Sequence, residues 1–76
     1  MSTFDQLKKI IAKVIHGNEG DIAIGTPLKD IKADSLHWVQ IIIAVETTFD
    51  VEVDVDSMKK FVTIGDFVQY IDKTGQ

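Results

Sequence analysis

From Ser35 to Thr48 the chain has room for one helix that is apolar on two faces, and this segment governs what the rest can become. Trp38, Ile41, Ile42, Val45 and Phe49 recur at helical spacing on one face, and Leu36, Val39 and Ile43 fall beside them on another. One such stripe is enough to build the core of a helical bundle. The second therefore either widens the core or stays exposed for a partner. In 76 residues there is too little protein to cover every face, which favours exposure. The near-continuous run from Ile41 to Val45 also has the look of a buried strand. Ala44, the length of the segment and an acid at Asp34 placed to cap a helix all favour helix instead.

Other segments supply what such a helix could pack against. Thr3 and Gln6 form a capping-box pattern, and Phe4, Leu7, Ile10, Ile11, Val14 and Ile15 then recur three and four apart, which predicts a first helix stopped at Gly17. Residues 17–32, with Gly20, Gly25 and Pro27, read as a loop long for so small a protein, fastened by apolar anchors at Ile22, Ile24, Leu28 and Ile31. Phe49, Val51, Val53 and Val55 alternate strictly with Asp50, Glu52, Asp54 and Asp56. Periodicity alone would make this a strand, but no second alternating segment exists to pair with it, so an extended connection is expected. Thr63 and Asp66 start a final helix whose core face is Ile64, Phe67, Val68 and Ile71. No internal repeat or boundary divides the chain, and residues 1–76 are expected to form a single domain.

Several kinds of chemistry have no material here. There is no cysteine, so disulfides, a thiol nucleophile and cysteine-bound zinc are all out of reach. His16 and His37 read as solvated or capping residues, since neither is paired with a serine and a carboxylate in triad order. No catalytic residue is nominated. The acids from Asp50 to Asp56 suggest calcium, but Val55 and Phe61 stand where an EF-hand needs glycine and a bidentate glutamate, so no metal site is expected. The net charge is −4, and from Ala33 to Met58 there are six acids and no lysine, a distribution that repels nucleic acid and suits basic partners. Residues 1–6 lack the pattern of a signal peptide, and no apolar run approaches a membrane span, so a cytoplasmic location is expected.

What remains is a serine on display. Asp34 can cap the helix and set negative charge against the positive end of its dipole, which leaves the Ser35 hydroxyl exposed at the helix start. A capping serine is commonplace by itself. The ordered set around it is not: Leu28 to Leu36 with Asp30 and Ala33-Asp34-Ser35-Leu36, then Phe49-Asp50, then Thr63-Ile64-Gly65-Asp66. Together these resemble the acyl carrier protein family from Leu28 to about Ile71. The resemblance implies an all-α fold, a small four-helix bundle with the long loop between helices one and two and a short third helix, here Asp56 to Phe61. It also implies a non-catalytic protein that holds acyl intermediates as thioesters on a 4'-phosphopantetheine arm, attached at Ser35 by a phosphopantetheinyl transferase. In that family the acid matching Asp34 also helps to bind the transferase. The positions matching Leu36, Val39, Ile43 and Glu46 meet acyl-transferring or synthase enzymes, while Trp38, Ile42, Val45 and Phe49 are candidates to line an acyl pocket. Such a carrier would act as a monomer in fatty-acid or related lipid or secondary-metabolite synthesis.

The departures from the family pattern carry information of their own. His37, Gln40, Thr47 and Thr48 occupy positions that are acidic in most fatty-acid carriers, Lys32 replaces a glycine, and Trp38 replaces a smaller residue. Partners that rely on a strongly acidic second helix should bind this chain weakly, which suggests a specialised carrier. Trp38 either fills core volume or limits the acyl pocket. Aminoacyl, polyketide or peptide cargo is the alternative within the family. Outside it, the alternative is a small helical interaction protein that never receives the arm.

Overall fold

The computed structural model describes residues 2–74, so Met1, Gly75 and Gln76 lie outside the described residues. Four helices follow in order: α1 (Thr3–Ile15), α2 (Ser35–Phe49), α3 (Val55–Met58) and α4 (Ile64–Thr74). The expected architecture holds, including the long loop and the short third member. The core joins Leu7 and Ile11 of α1, Ile41 and Val45 of α2, and Ile64, Phe67 and Ile71 of α4, all at or near zero exposure. Close packing between helices runs from α1 to α2 and from α1 to α4.

The ends of α1 differ from the sequence expectation at both termini. Ser2, not Thr3, is the cap, and its hydroxyl accepts the Asp5 N–H at 3.1 Å. Two adjacent hydroxyl residues compete for one cap, and seating Ser2 leaves Thr3 free to donate to Asp72 of α4 at 2.5 Å. At the other end His16 takes the left-handed conformation (φ 55°), and Gly17 only follows it, donating its N–H to Ala12 at 2.8 Å. A Cβ at Gly17 would stand 3.1 Å from the end of the Ile15 side chain, which would have to give by a few tenths of an ångström.

The long loop is held by its backbone more than by its side chains. Ile22 and Ile31 are buried and Leu28 half-buried, as anchors should be, but Ile24 is 48% exposed. Its carbonyl is what fastens it, accepting the Gly65 N–H at 2.8 Å. Beside it Ile64 donates to Thr26 and Leu28 to Val62, each at 2.9 Å. This short antiparallel stitch, centred on Pro27 and Thr63, ties the loop before α2 to the start of α4.

Asp50 ends α2 in the left-handed conformation (φ 55°), and residues 51–54 form the extended connection that the missing partner strand predicts. Val51 and Val53 point inward, and side chains take the place of a strand ladder: Glu46 accepts the Val53 N–H at 2.9 Å, and the Tyr70 hydroxyl donates to the Glu52 carbonyl at 3.0 Å. The alternation ends at Val55, which is 62% exposed as the first residue of α3, and one expectation fails here. That helix starts and stops earlier than Asp56–Phe61, because Asp54 is the residue that caps it, accepting the Asp56 N–H at 3.0 Å. Phe61 lies beyond the helix and packs on Phe67 and Tyr70, ring centroids 5.5 and 5.3 Å away.

At α4 the capping box is present as expected. Asp66 accepts the N–H groups of Val62 (2.8 Å) and Thr63 (3.1 Å), while Thr63 accepts that of Asp66 (3.3 Å). Those two amides, Val62 first, hold the Asp66 carboxyl below its ordinary value.

Candidate functional site

The start of α2 is fixed by a reciprocal box with histidine in an unusual role. Asp34 accepts the His37 N–H at 2.9 Å, and the imidazole Nδ1 of His37 accepts the Asp34 N–H at 3.3 Å. Glutamate or glutamine commonly closes such a box. Both histidines thus turn out to be capping residues, His16 at the end of α1 and His37 here. Ser35, the first residue of α2, stands between the two halves of the box, and its side chain is exposed. Among the described residues none hydrogen-bonds its hydroxyl, so the box fixes the backbone beneath Ser35 and leaves the hydroxyl itself accessible.

Ser35 opens onto a groove of about 660 Å³ between α2 and α3. Its apolar walls are Leu28 and Ala33 from the loop, Trp38, Val39 and Ile42 from α2, and Val55, Met58 and Phe61 from the far side, so Val39 of the exposed stripe also borders the groove. Lys29 is the one cation among the lining residues, with Asp34 the one anion. Of the four acyl-pocket candidates, then, Trp38 and Ile42 line this groove and two do not. Val45 is fully buried against the core and Phe49 is half-buried further along α2, so neither faces the groove. Helical spacing groups residues by face, and the groove spans only the first two turns of that face.

The second stripe of α2 is in water. Leu36 is 64% exposed, Val39 51% and Ile43 57%, a row one turn apart beginning beside Ser35. Glu46, nominated with them, is set apart. It is half-buried and one of its carboxylate oxygens holds Val53, so its role within the fold is already engaged. Sequence reasoning missed Lys29, Val55, Met58 and Phe61 as neighbours of Ser35. Leu28 was visible only as a loop anchor, and nothing in the spacing places α3 across from α2. Among the described residues no three His, Cys, Asp or Glu side chains are grouped to hold a metal ion, and no helix is long and apolar enough to cross a membrane.

An exposed helix-start hydroxyl, free of partners and leading into an apolar groove, is suited to carrying a covalently attached flexible group. The comparisons with known proteins point the same way. Residues 5–71 match the family model described as "Phosphopantetheine attachment site". An acyl carrier protein of Clostridium perfringens (strain SM101 / Type A) is 41% identical over 69 residues, covering 90% of this chain and 91% of the relative. One from Desulforapulum autotrophicum is 36% identical over 75 residues, covering 96% and 97%. In three dimensions the chain is similar to the solution NMR structure of holo acyl carrier protein from Geobacter metallireducens, with a TM-score of 0.81 and 25% identity over 97% of this chain and 86% of that one.

Proposed function

This chain belongs to the acyl carrier protein family, non-catalytic carriers with a covalently attached phosphopantetheine group, and we propose that Ser35 is the residue that bears the arm. The single observation that carries this assignment is the unpartnered, exposed Ser35 hydroxyl, fixed by the Asp34–His37 box at the mouth of an apolar groove. The residues present suit the group. Lys29 offsets the negative charge of a phosphodiester at Ser35, and the walls from Leu28 to Phe61 cover an extended apolar chain. When bound, the arm supplies a terminal thiol able to hold acyl cargo as a thioester, a group this cysteine-free chain lacks.

The chain's own residues divide the remaining work. Asp34 keeps the serine oriented and offers an acid to the phosphopantetheinyl transferase. Leu36, Val39 and Ile43 form the face that acyl-transferring or synthase enzymes meet. Their setting is poor in acid, with His37, Gln40, Thr47 and Thr48 on the same helix, so the partners it suits recognise apolar shape more than negative charge. We read the protein as a specialised carrier in a fatty-acid or related lipid or secondary-metabolite pathway. Incubation with coenzyme A and a broad transferase should add one phosphopantetheine mass to the wild type and none to Ser35→Ala, read by intact mass spectrometry. A modified alanine variant, or a wild type that is never modified, refutes the assignment.

A further inference from the structure

Trp38 lies three residues beyond Ser35, on the same side of α2, because residues three apart on a helix are neighbours. It is half-buried, packed against the core on one side and lining the groove on the other. The core cluster it packs against is closed to solvent, with Ile41 and Val45 of α2 and Ile64 and Phe67 of α4 at zero exposure. Across the groove stand Val55, Met58 and Phe61, on and just after a helix of only four residues; Met58 and Phe61 also pack against the core, and Val55 is exposed.

Taking attachment at Ser35 as its premise, we propose that Trp38 is the specificity-determining residue for cargo length. The acyl chain lies along the surface groove between the indole and Met58–Phe61, and the indole fills the space between that groove and the core. Contact with a broad aromatic face and an adaptable thioether removes apolar surface from water on both sides. That gain ends where the groove ends. Short and medium chains are therefore sheltered, whereas the distal carbons of a long chain stay in solvent.

Trp38 is the sole tryptophan, so its emission reports on the groove without a label. The transferase moves acetyl-, hexanoyl- and palmitoyl-phosphopantetheine in turn from the coenzyme A thioesters to the Ser35 oxygen, breaking the pyrophosphate bond and releasing adenosine 3',5'-bisphosphate, with complete loading verified by intact mass. The emission maximum of the wild type should move to shorter wavelength from acetyl to hexanoyl and no further with palmitoyl. Its Tm should rise over the same interval and then level off, since cargo that binds only the folded state stabilises it. In Trp38→Leu, each form referred to its own unacylated protein, Tm should continue to rise up to palmitoyl, while Trp38→Phe, which keeps a ring, should level off as the wild type does. Full loading with unmoved emission, or the same levelling in Trp38→Leu as in the wild type, overturns the role of Trp38 alone. Absence of the added mass on the wild type, or its presence on Ser35→Ala, overturns the attachment at Ser35 and this inference with it.

Discussion

α4 and α2 sit in one bundle and use their apolar residues differently. α4 carries a single stripe, and the core takes all of it: Ile64, Phe67 and Ile71 are buried, Val68 and Tyr70 half-buried, and Gln69, Asp72 and Lys73 face water. α2 is longer and more apolar, yet only Ile41 and Val45 are fully buried, while Leu36, Val39 and Ile43 remain in solvent. The hydrophobic effect accounts for α4 completely. On α2 it accounts for one face and leaves a residue of apolar surface that stability does not explain, and that surplus begins beside Ser35.

Substitutions can break this contrast. Phe67→Ala should lose about 3–5 kcal/mol, a core truncation from which a domain this small recovers little, as read from urea unfolding. Val39→Ser and Ile43→Ser should each stay within about 0.5 kcal/mol of wild type while slowing turnover by partner enzymes. A loss on the exposed stripe approaching that of Phe67 would erase the difference between the helices.

Glu46 tests the border between the two uses. Its carboxylate holds the Val53 N–H, so Glu46→Ala should cost about 1–3 kcal/mol in the same assay by stranding that donor. A variant as stable as wild type would return Glu46 to the partner-facing set. The caps come next. Asp34→Ala should cost roughly 1 kcal/mol, about that of any good N-cap, and slow modification by the transferase as the helix start frays.

The smallest effect is on pH dependence. Asp66 has a folded-state pKa below its unfolded one, because the Val62 and Thr63 amides donate to the carboxylate. Its stabilisation is fully present above the unfolded value and is lost as pH falls from roughly 4 through the folded value. Acid titration of Tm should therefore be shallower in Asp66→Asn than in wild type. Equal slopes would mean that the α4 cap does not depend on charge.

The same contrast explains how far the fold could be read from the sequence. Periodicity and the acid at Asp34 were sufficient for α2 and α4, and the absence of a pairing partner was sufficient to deny residues 50–54 a strand. Caps were legible by position at Asp34 and at Thr63 with Asp66, but not around α1, where Ser2 took the place of Thr3 and His16 that of Gly17. Neighbouring polar residues are equally good caps in isolation, and tertiary contacts such as Thr3 with Asp72 choose between them. Ser35 with its exposed neighbours was legible from local pattern and family resemblance. The far wall of the groove was not, since Val55, Met58 and Phe61 reach it through loop geometry that no side-chain spacing records. Tyr70, which secures residues 52–54 from α4, left no signal at all.

The backbone stitch between the loop and α4 bears on the order of events during synthesis. Its bonds join Ile24, Thr26 and Leu28 to Val62, Ile64 and Gly65, groups from opposite halves of the chain. While the ribosome has released only the first half, those loop groups have no partner, and the turn leading into Asp34 and Ser35 has nothing to close against. The loop that leads to Ser35 should therefore be completed late, although the serine is translated near the middle. A nascent chain halted before Thr63 should be a poor transferase substrate even with α2 fully emerged, which would keep unfinished chains from receiving the arm.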